Sequence, residues 1–268
     1  MAGFIAALPM YDWPECRAAV NEQWVNLRDR LRAAGVPAPD RLVRRNADMP
    51  GVPGGIRDLE GHVIAADPAT LPPDELDLHT LWRHPDLLFS QTCWGPMGLG
   101  LAPHVSVVGQ QDYSDVEGGE GEFYSSAVVV ARPVVDQASA PADGKPSLPL
   151  EHLRGKRLVY NSPDSMSGLL GLERDLASLR EDLRLFSERW ESGGHRHSII
   201  AVAKGEADVA AVDCFTWKLA NRFESAVGAL AVVGWTGHRM GLPFITSRRV
   251  PPQIVELIMQ ELKDLILR

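Results

Sequence analysis

A serine-rich segment, YNSPDSMSGLLGL at residues 160–172, has the residue types best suited to hold an anion. Its apolar end predicts a helix that begins at about Ser167. The first N–H groups of a helix have no partners inside the helix, and the helix dipole places partial positive charge there. Small residues let an oxyanion approach this backbone, and serine hydroxyls add donors. Capping of the helix by Ser165 explains the same pattern, so both interpretations stay open.

A second polar segment, GGHRHSIIAVAKGEADVAAVDC, covers residues 193–214. Two glycines precede His195, and a predicted strand ends at Asp213. Ligands of open α/β sheets collect at the carboxyl ends of the strands. His195 and His197 suggest a metal pair, but no third ligand follows at a suitable spacing, and no metal site is predicted. Asp213 is equally consistent with a cap of the helix that follows it.

Aromatic residues follow two further predicted strands, in PMYDW and SQTCWGPMG. Tyr11 and Trp94 are candidates to line a ligand cleft, although each is also consistent with core packing. The sequence has no GxSxG nucleophile motif and no glycine-rich loop with a lysine for a nucleotide, so no cofactor is predicted. A triad of Ser165, His195 and Asp213 has no recognisable oxyanion partner.

The composition of the 268 residues, with 45% hydrophobic and 23% charged residues, indicates a folded globular protein. A net charge of −8 argues against nucleic-acid binding. It does not exclude an anionic small ligand, because a recessed site sets its own local potential.

The N-terminal segment and the cysteines indicate the cellular compartment of the protein. Cys16, Cys93 and Cys214 are scattered, as in a reducing compartment. The first residues lack a basic region, and their apolar run is broken at Pro9, so neither a signal peptide nor membrane insertion is predicted. We expect a cytoplasmic protein, or a periplasmic one if a signal peptide has been removed.

Predicted strands alternate with predicted helices along the chain, which indicates an α/β fold with largely parallel sheets. The clearest strand is FYSSAVVVA, at residues 123–131, where β-branched residues are dense. Strands also precede the serine-rich segment and end at Asp213, and an amphipathic helix ends the chain.

Several segments together, in the same order, resemble the phosphate/phosphonate-type substrate-binding proteins of ABC transporters. They are ALPMYDWPE, SQTCWGPM, YSSAVVVAR, LRGKRLVYNSPDSMSGLLGL, SGGHRHSIIAVAKGEADVAAVDCFTW and LPFIT. The resemblance implies a type II periplasmic-binding-protein-like fold, with ligand held between two lobes. Each lobe would be a mixed, largely parallel sheet flanked by helices. We expect residues 1–122 and 228–268 in lobe 1 and residues 123–227 in lobe 2, with the hinge near Glu122 and Gly228.

The resemblance also implies which residues contact the ligand. Ser165, Ser167 and the amides near Gly168 would contact an oxyanion, which His195 would support. Asp213 would face a polar or cationic part of the ligand, and aromatic side chains would come from the opposite lobe. The predicted ligand-binding set is Tyr11, Trp94, Tyr124, Ser165, Ser167, Gly168, His195 and Asp213.

These inferences predict reversible binding of a small anionic metabolite with a phosphate, phosphonate or carboxylate group, by a solute-binding or sensing protein. An ABC transporter permease would be the partner if the protein is exported. Two alternatives stay open. One is a cytoplasmic lyase or biosynthetic enzyme on the same two-lobed scaffold, with His195 and Asp213 as acid–base groups. The other is a sensor or a partner-bound subunit.

Overall fold

A computed structural model describes residues 3–132 and 144–266, with side chains as far as residue 263. Contacts between Cα atoms divide the chain into two compact units. The first unit is Met1–Gln111 with Leu242–Arg268, and the second is Asp112–Gly241. The sequence placed the two crossings near Glu122 and Gly228, and both of these positions lie inside the second unit. Which residues form a hinge stays a prediction.

The secondary structure of the described residues is mixed α/β. The strands are β1 (Ile5–Ala7), β2 (Ile56–Arg57), β3 (Val63–Ala65), β4 (Leu87–Gln91), β5 (Val105–Gln110), β6 (Gly119–Glu120), β7 (Phe123–Tyr124), β8 (Ser126–Ala131), β9 (Arg157–Tyr160), β10 (Glu188–Glu191), β11 (Val209–Asp213), β12 (Leu230–Trp235), β13 (Arg239–Met240) and β14 (Pro243–Ser247). The α-helices are α1 (Arg17–Ala33), α2 (Leu78–Arg83), α3 (Trp94–Pro96), α4 (Leu150–Leu153), α5 (Gly171–Ser178), α6 (His195–Ala203), α7 (Cys214–Phe223) and α8 (Pro252–Ile266). A wide helical turn, Met166–Leu170, directly precedes α5. Within residues 3–132 and 144–266, no helix has both the length and the apolar character needed to cross a bilayer.

The first unit is built on a four-stranded sheet in the order β1-β4-β14-β5. β1 runs parallel to β4, and β14 runs antiparallel to both of its neighbours. Helix α1 is buried along one stripe that includes Trp24 and Leu31, at the spacing of an amphipathic helix. These side chains pack with Phe89 of β4 and Ile258 of α8 in one apolar cluster. Burial of each such side chain stabilises the fold by about 1.5–3 kcal/mol.

The second unit is built on a five-stranded sheet in the order β10-β9-β11-β8-β12. β9 lies between β10 and β11 and is parallel to both. Every residue of β11 is buried, and Val209 packs in a cluster with Leu158, Leu172 and Val130. Because β9, β10 and β11 run in one direction, their carboxyl ends meet at one edge of this sheet.

The structure corrects two expectations about the strands. The four-stranded sheet has three pairs of neighbouring strands, of which one pair is parallel. The five-stranded sheet has four such pairs, of which two are parallel. Both sheets are therefore mixed, as expected, but neither is largely parallel. The segment at residues 123–131 forms β7 and β8 rather than one strand. The chain leaves the ladder at Ser125, whose N–H donates to Gly118 and whose carbonyl accepts from Cys214. β7 belongs instead to a small sheet with β6 and β13.

Candidate anion-binding site

Polar side chains from three segments meet at the carboxyl edge of the second unit's sheet. Ser165 and Ser167 follow β9, and His195 is the first residue of the helix that follows β10. Asp213 is the last residue of β11. This is the edge at which open α/β sheets bind ligands, and parallel strand direction explains why segments distant in sequence come together there.

The serine turn begins with a helix cap. The Ser165 hydroxyl oxygen accepts a hydrogen bond from the Gly168 N–H at 3.0 Å, and it lies 3.3 Å from the Ser167 hydroxyl. Ser165 is 5% exposed and Ser167 is 7% exposed. The capping interpretation of Ser165 is therefore confirmed. A capping hydroxyl uses its oxygen as the acceptor, so its hydrogen stays available as a donor. Capping and anion binding are thus compatible uses of the same turn.

His195 connects the turn to β11. Its Nε2 lies 2.8 Å from the Ser167 hydroxyl and 3.5 Å from Oδ2 of Asp213. Burial lowers the pKa of His195 below its usual value, although the Asp213 carboxylate acts in the opposite direction. The ring is therefore neutral at neutral pH. Its Nδ1 is buried and has no hydrogen-bond partner among the described residues.

The two neighbours of Nε2 determine the tautomer of His195. A carboxylate can only accept, so Asp213 favours a proton on Nε2. The other tautomer would place an N–H on the buried Nδ1 without an acceptor, which costs about 1–3 kcal/mol. With the proton on Nε2, the Ser167 oxygen accepts from His195 and its hydroxyl hydrogen points elsewhere. Ser167 is thereby prepared to donate to a ligand oxygen.

Asp213 has a structural role as well as a position in the site. Its Oδ1 accepts from the Thr216 N–H at 2.8 Å, so the predicted cap of α7 is confirmed. The residue is 5% exposed. Burial, together with the adjacent carboxylate, raises the pKa of the Cys214 thiol.

The site differs from a catalytic triad. In a triad the carboxylate and the serine contact opposite ring nitrogens of the histidine, whereas here both Asp213 and Ser167 lie near Nε2 of His195. The arrangement therefore does not match a triad.

Asn161 is a site neighbour that sequence reasoning missed. Its side-chain oxygen is buried and has no hydrogen-bond partner in the described part of the chain. A Cβ added to Gly168 would lie 1.8 Å from that oxygen and 3.3 Å from Cε1 of His195. The amide of Asn161 thus packs directly against the turn, and only glycine fits at position 168 without a displacement.

Arg239 and Asp175 form a second feature that the sequence did not reveal. The Arg239 guanidinium donates to the Asp175 carboxylate and to the Gly171 carbonyl, the latter at 2.6 Å. Asp175 also accepts from the Gly237 N–H at 2.7 Å. These contacts attach the first turn of α5 to the segment after β12. The partners lie more than 60 residues apart, so no local pattern could signal them.

Tyr124 is brought into the core of the second unit. It is 2% exposed, and its ring stacks on Tyr113 with 5.3 Å between centroids. Packing accounts for this position, and a contact between Tyr124 and a ligand stays a prediction.

Tyr11 and Trp94 lie in the first unit. They follow β1 and β4, which are parallel, so both residues come after the carboxyl edge of that sheet. Tyr11 is buried, and Trp94 is half-buried against an apolar cluster that contains Met97. Thr92, which also follows β4, is fully buried, and its hydroxyl has no hydrogen-bond partner among the residues described. Ligand contact by the two aromatic residues stays a prediction.

No group of three or more potential metal-binding side chains occurs within residues 3–132 and 144–266. His197, the second member of the considered metal pair, is exposed on α6, with Nδ1 3.2 Å from the Ser192 carbonyl.

Comparisons with known proteins agree with the observed fold. Residues 114–266 match the family described as "ABC transporter, phosphonate, periplasmic substrate-binding protein". No curated protein matches this sequence. The structure of PhnD1 from Prochlorococcus marinus (MIT 9301) in complex with methylphosphonate matches with a TM-score of 0.63 at 18% identity, over 99% of this chain and 84% of that chain.

Two further solved structures share the fold. A binding-protein component of an ABC phosphonate transporter (PA3383) from Pseudomonas aeruginosa has a TM-score of 0.55 at 13% identity, over 98% of this chain and 74% of that chain. The sensor domain of a histidine kinase has a TM-score of 0.54 at 11% identity, over 98% of this chain and 90% of that chain. The predicted two-lobed, periplasmic-binding-protein-like α/β fold is thus confirmed. Because the family model matches more than half of the 268 residues, the chain belongs to the phosphonate-type periplasmic substrate-binding proteins of ABC transporters.

Proposed function

We propose that this protein reversibly binds a small phosphonate-type anion at the turn formed by Ser165–Gly168. The observation that carries the proposal is the hydrogen-bond network in which the Ser165 oxygen accepts from the Gly168 amide and the Ser167 hydroxyl lies 2.8 Å from Nε2 of His195. One hydroxyl hydrogen is shared between the two serines, whose oxygens lie 3.3 Å apart, and the other can donate to a ligand. The first-turn amide of Ser167 adds a donor for the same oxyanion, since the Gly168 amide is used by the cap.

The charge of the ligand is met by dipoles rather than by a cation. Among the described residues, the side-chain hydrogen bonds of Ser165 and Ser167 reach Gly168, His195 and each other, and no lysine or arginine. Helix N-termini bind phosphate-like groups in this way, and they hold the ligand without a permanent ion pair. Such binding suits a protein that must also release its ligand.

The family suggests a permease of an ABC transporter as the partner, and release to it would be the physiological step. A sensing role on the same fold is the second possibility, since a histidine kinase sensor domain has this architecture. The cytoplasmic location stays a prediction, and cell fractionation would test it.

Calorimetric titration with methylphosphonate tests the proposal. We expect saturable binding to the wild-type protein and binding at least tenfold weaker to Ser167→Ala. Ser178→Ala is the matched control, because Ser178 is exposed at the far end of α5 and its hydroxyl bonds only locally, to Asp175. Equal affinity of all three proteins would overturn the assignment of the turn.

The same sample separates binding from catalysis. Mass spectrometry of the ligand recovered after long incubation should show it unchanged. A product that disappears in His195→Ala would instead establish the acid–base enzyme alternative.

A further inference from the structure

Two buried polar atoms without a hydrogen-bond partner lie beside the serine turn. One is the side-chain oxygen of Asn161 and the other is Nδ1 of His195, and neither has a partner among the described residues. Asn161 directly follows β9, and His195 begins α6, so both belong to the carboxyl edge of the second unit's sheet. Buried polar groups without partners are rare in folded proteins, so two at one site require an explanation.

Both atoms lie on the same side of Gly168. A Cβ added to that glycine would lie 1.8 Å from Oδ1 of Asn161 and 3.3 Å from Cε1 of His195, the ring carbon bonded to Nδ1. The amide group and the imidazole ring therefore converge on one point beside the turn. A side chain at position 168 would occupy that point and separate them.

An amide oxygen cannot satisfy this ring nitrogen. Burial lowers the pKa of His195, so the ring is neutral, and with its proton on Nε2 the Nδ1 atom is an acceptor. The Asn161 oxygen is an acceptor as well. The oxygen and nitrogen of a carboxamide are nearly equal in size, so a half-turn of the amide exchanges them within the same packing. The half-turn places an NH₂ donor on the side of the imidazole, where Nδ1 needs one.

The tautomer of His195 decides whether the serines can donate to an anion. The hydroxyl oxygens of Ser165 and Ser167 lie 3.3 Å apart, so one of their two hydrogens is used between them. With the proton on Nε2, His195 donates to the Ser167 oxygen at 2.8 Å, and the second hydroxyl hydrogen is left for a ligand. With the proton on Nδ1, Nε2 becomes an acceptor and takes that second hydrogen.

Resting on the proposed function, we propose that Asn161 is a positioning residue: its NH₂ group donates to Nδ1 of His195 and holds the ring proton on Nε2. The hydrogen bond made by one ring nitrogen of a histidine determines which nitrogen carries the proton. Asn161 thus acts on the ligand through the imidazole, and it keeps one serine hydrogen available for the anion.

The ¹⁵N chemical shifts of the His195 ring test this inference, because they differ between protonated and unprotonated nitrogens. At about pH 7.5, above the usual pKa of histidine, the wild-type protein should show a protonated Nε2 and an unprotonated Nδ1 that accepts a hydrogen bond. Asn161→Asp keeps the shape of the side chain but can only accept, so Nδ1 should become protonated. The affinity for methylphosphonate should fall at least tenfold in this variant.

A second variant removes the donor without adding a charge. In Asn161→Leu, Nδ1 should stay unprotonated, but its ¹⁵N shift should move to that of a ring nitrogen without a hydrogen-bond donor. Affinity should fall at least threefold, because the ring is no longer held. Asn221→Asp is the matched control, since Asn221 is exposed on α7 and its amide donates only to the Trp217 carbonyl. The control should change neither the His195 shifts nor the affinity.

The outcomes separate the inference from the proposed function. A protonated Nδ1 in the unliganded wild type, or wild-type shifts and affinity in Asn161→Asp, would overturn the inference while the proposed function stands. Weaker binding by both Asn161 variants with unchanged ¹⁵N shifts of His195 would show that Asn161 only packs against the turn, and would also overturn it. Failure of the wild type to bind methylphosphonate would overturn the proposed function, and the inference with it.

Discussion

His84 in the first unit is fully buried, and His195 in the second unit keeps 12% of its side chain exposed; their hydrogen bonds also differ. His84 is fully buried, with Nε2 3.1 Å from the Pro50 carbonyl and Nδ1 accepting from the Asp86 N–H at 3.2 Å. Both ring nitrogens of His84 are therefore satisfied. In His195, Nε2 is shared by Ser167 and Asp213, and Nδ1 has no partner among the described residues.

The comparison separates a structural histidine from a functional one. A buried polar group that is fully paired stabilises one conformation, as His84 does for the segment after α2. A buried group left partly unpaired costs stability, and such costs concentrate at binding sites. The incomplete pairing of His195 is thus consistent with a position kept for a ligand.

The largest effect is expected from the glycine that supports the turn. In Gly171→Ala the new Cβ would lie 2.6 Å from the Met166 carbonyl oxygen and 2.7 Å from Nε of Arg239. We expect a loss of about 1–3 kcal/mol of stability, because overpacking displaces the backbone, together with most of the anion affinity. Thermal unfolding and methylphosphonate titration measure the two effects. Gly228→Ala, where the added Cβ meets nothing within 4 Å, is the control and should change neither.

Substitution of the two histidines tests the comparison itself. His84→Ala leaves the Pro50 carbonyl and the Asp86 N–H without partners, so it should cost about 1–3 kcal/mol of stability. Its effect on affinity should be small. His195→Ala should show the reverse pattern, with affinity lowered by about 1.5–3 kcal/mol. If both variants lose only stability, the distinction between the two histidines is wrong.

A smaller effect is expected from the first unit's aromatic residues. Trp94→Ala should weaken methylphosphonate binding by about 0.5–1.5 kcal/mol if the predicted contact exists, less than Ser167→Ala. Phe123→Ala is a control, since Phe123 is a large exposed side chain on the small sheet of the second unit. A larger loss for Trp94→Ala than for Ser167→Ala would show that the first unit supplies more of the binding energy.

The smallest effect concerns pH. Burial lowers the pKa of both His84 and His195 in the folded state. Below about pH 6.5, the pKa of an unperturbed histidine, the unfolded chain binds protons that the folded state does not. The stability linked to these two histidines is therefore complete above pH 6.5 and declines as the pH falls. Each histidine contributes at most about 1.4 kcal/mol per pH unit. Urea unfolding at pH 7 and pH 5.5 should show a smaller acid loss in His195→Gln than in wild type.

Local patterns predicted the elements that carry the site. Ser165 and Asp213 were candidates for helix caps, and both cap helices. The strands that end before the serine turn and at Asp213 were also predicted, and the second of them is dense in valine and alanine. Strand direction then brings the segments to one edge. That Ser165, Ser167, His195 and Asp213 lie close together was, however, implied only by the resemblance to a family.

Features that depend on distant contacts were not predictable. The break at Ser125 arises from bonds to Gly118 and Cys214, and neither bond has a signal in the local sequence. The same holds for the packing of Asn161 against the turn. The share of antiparallel strand pairs depends on where β14 and β8 insert, and periodicity alone does not report strand direction.

The location of the bound anion tests the central claim most directly. In a titration of ¹⁵N-labelled protein with methylphosphonate, the amide resonances of Ser167 and Gly168 should shift most, because their N–H groups lie at the turn. The amide of Ser178, at the opposite end of α5, should stay unchanged. Saturable binding with no shift at residues 165–168 and the largest shifts elsewhere in the chain would contradict the account.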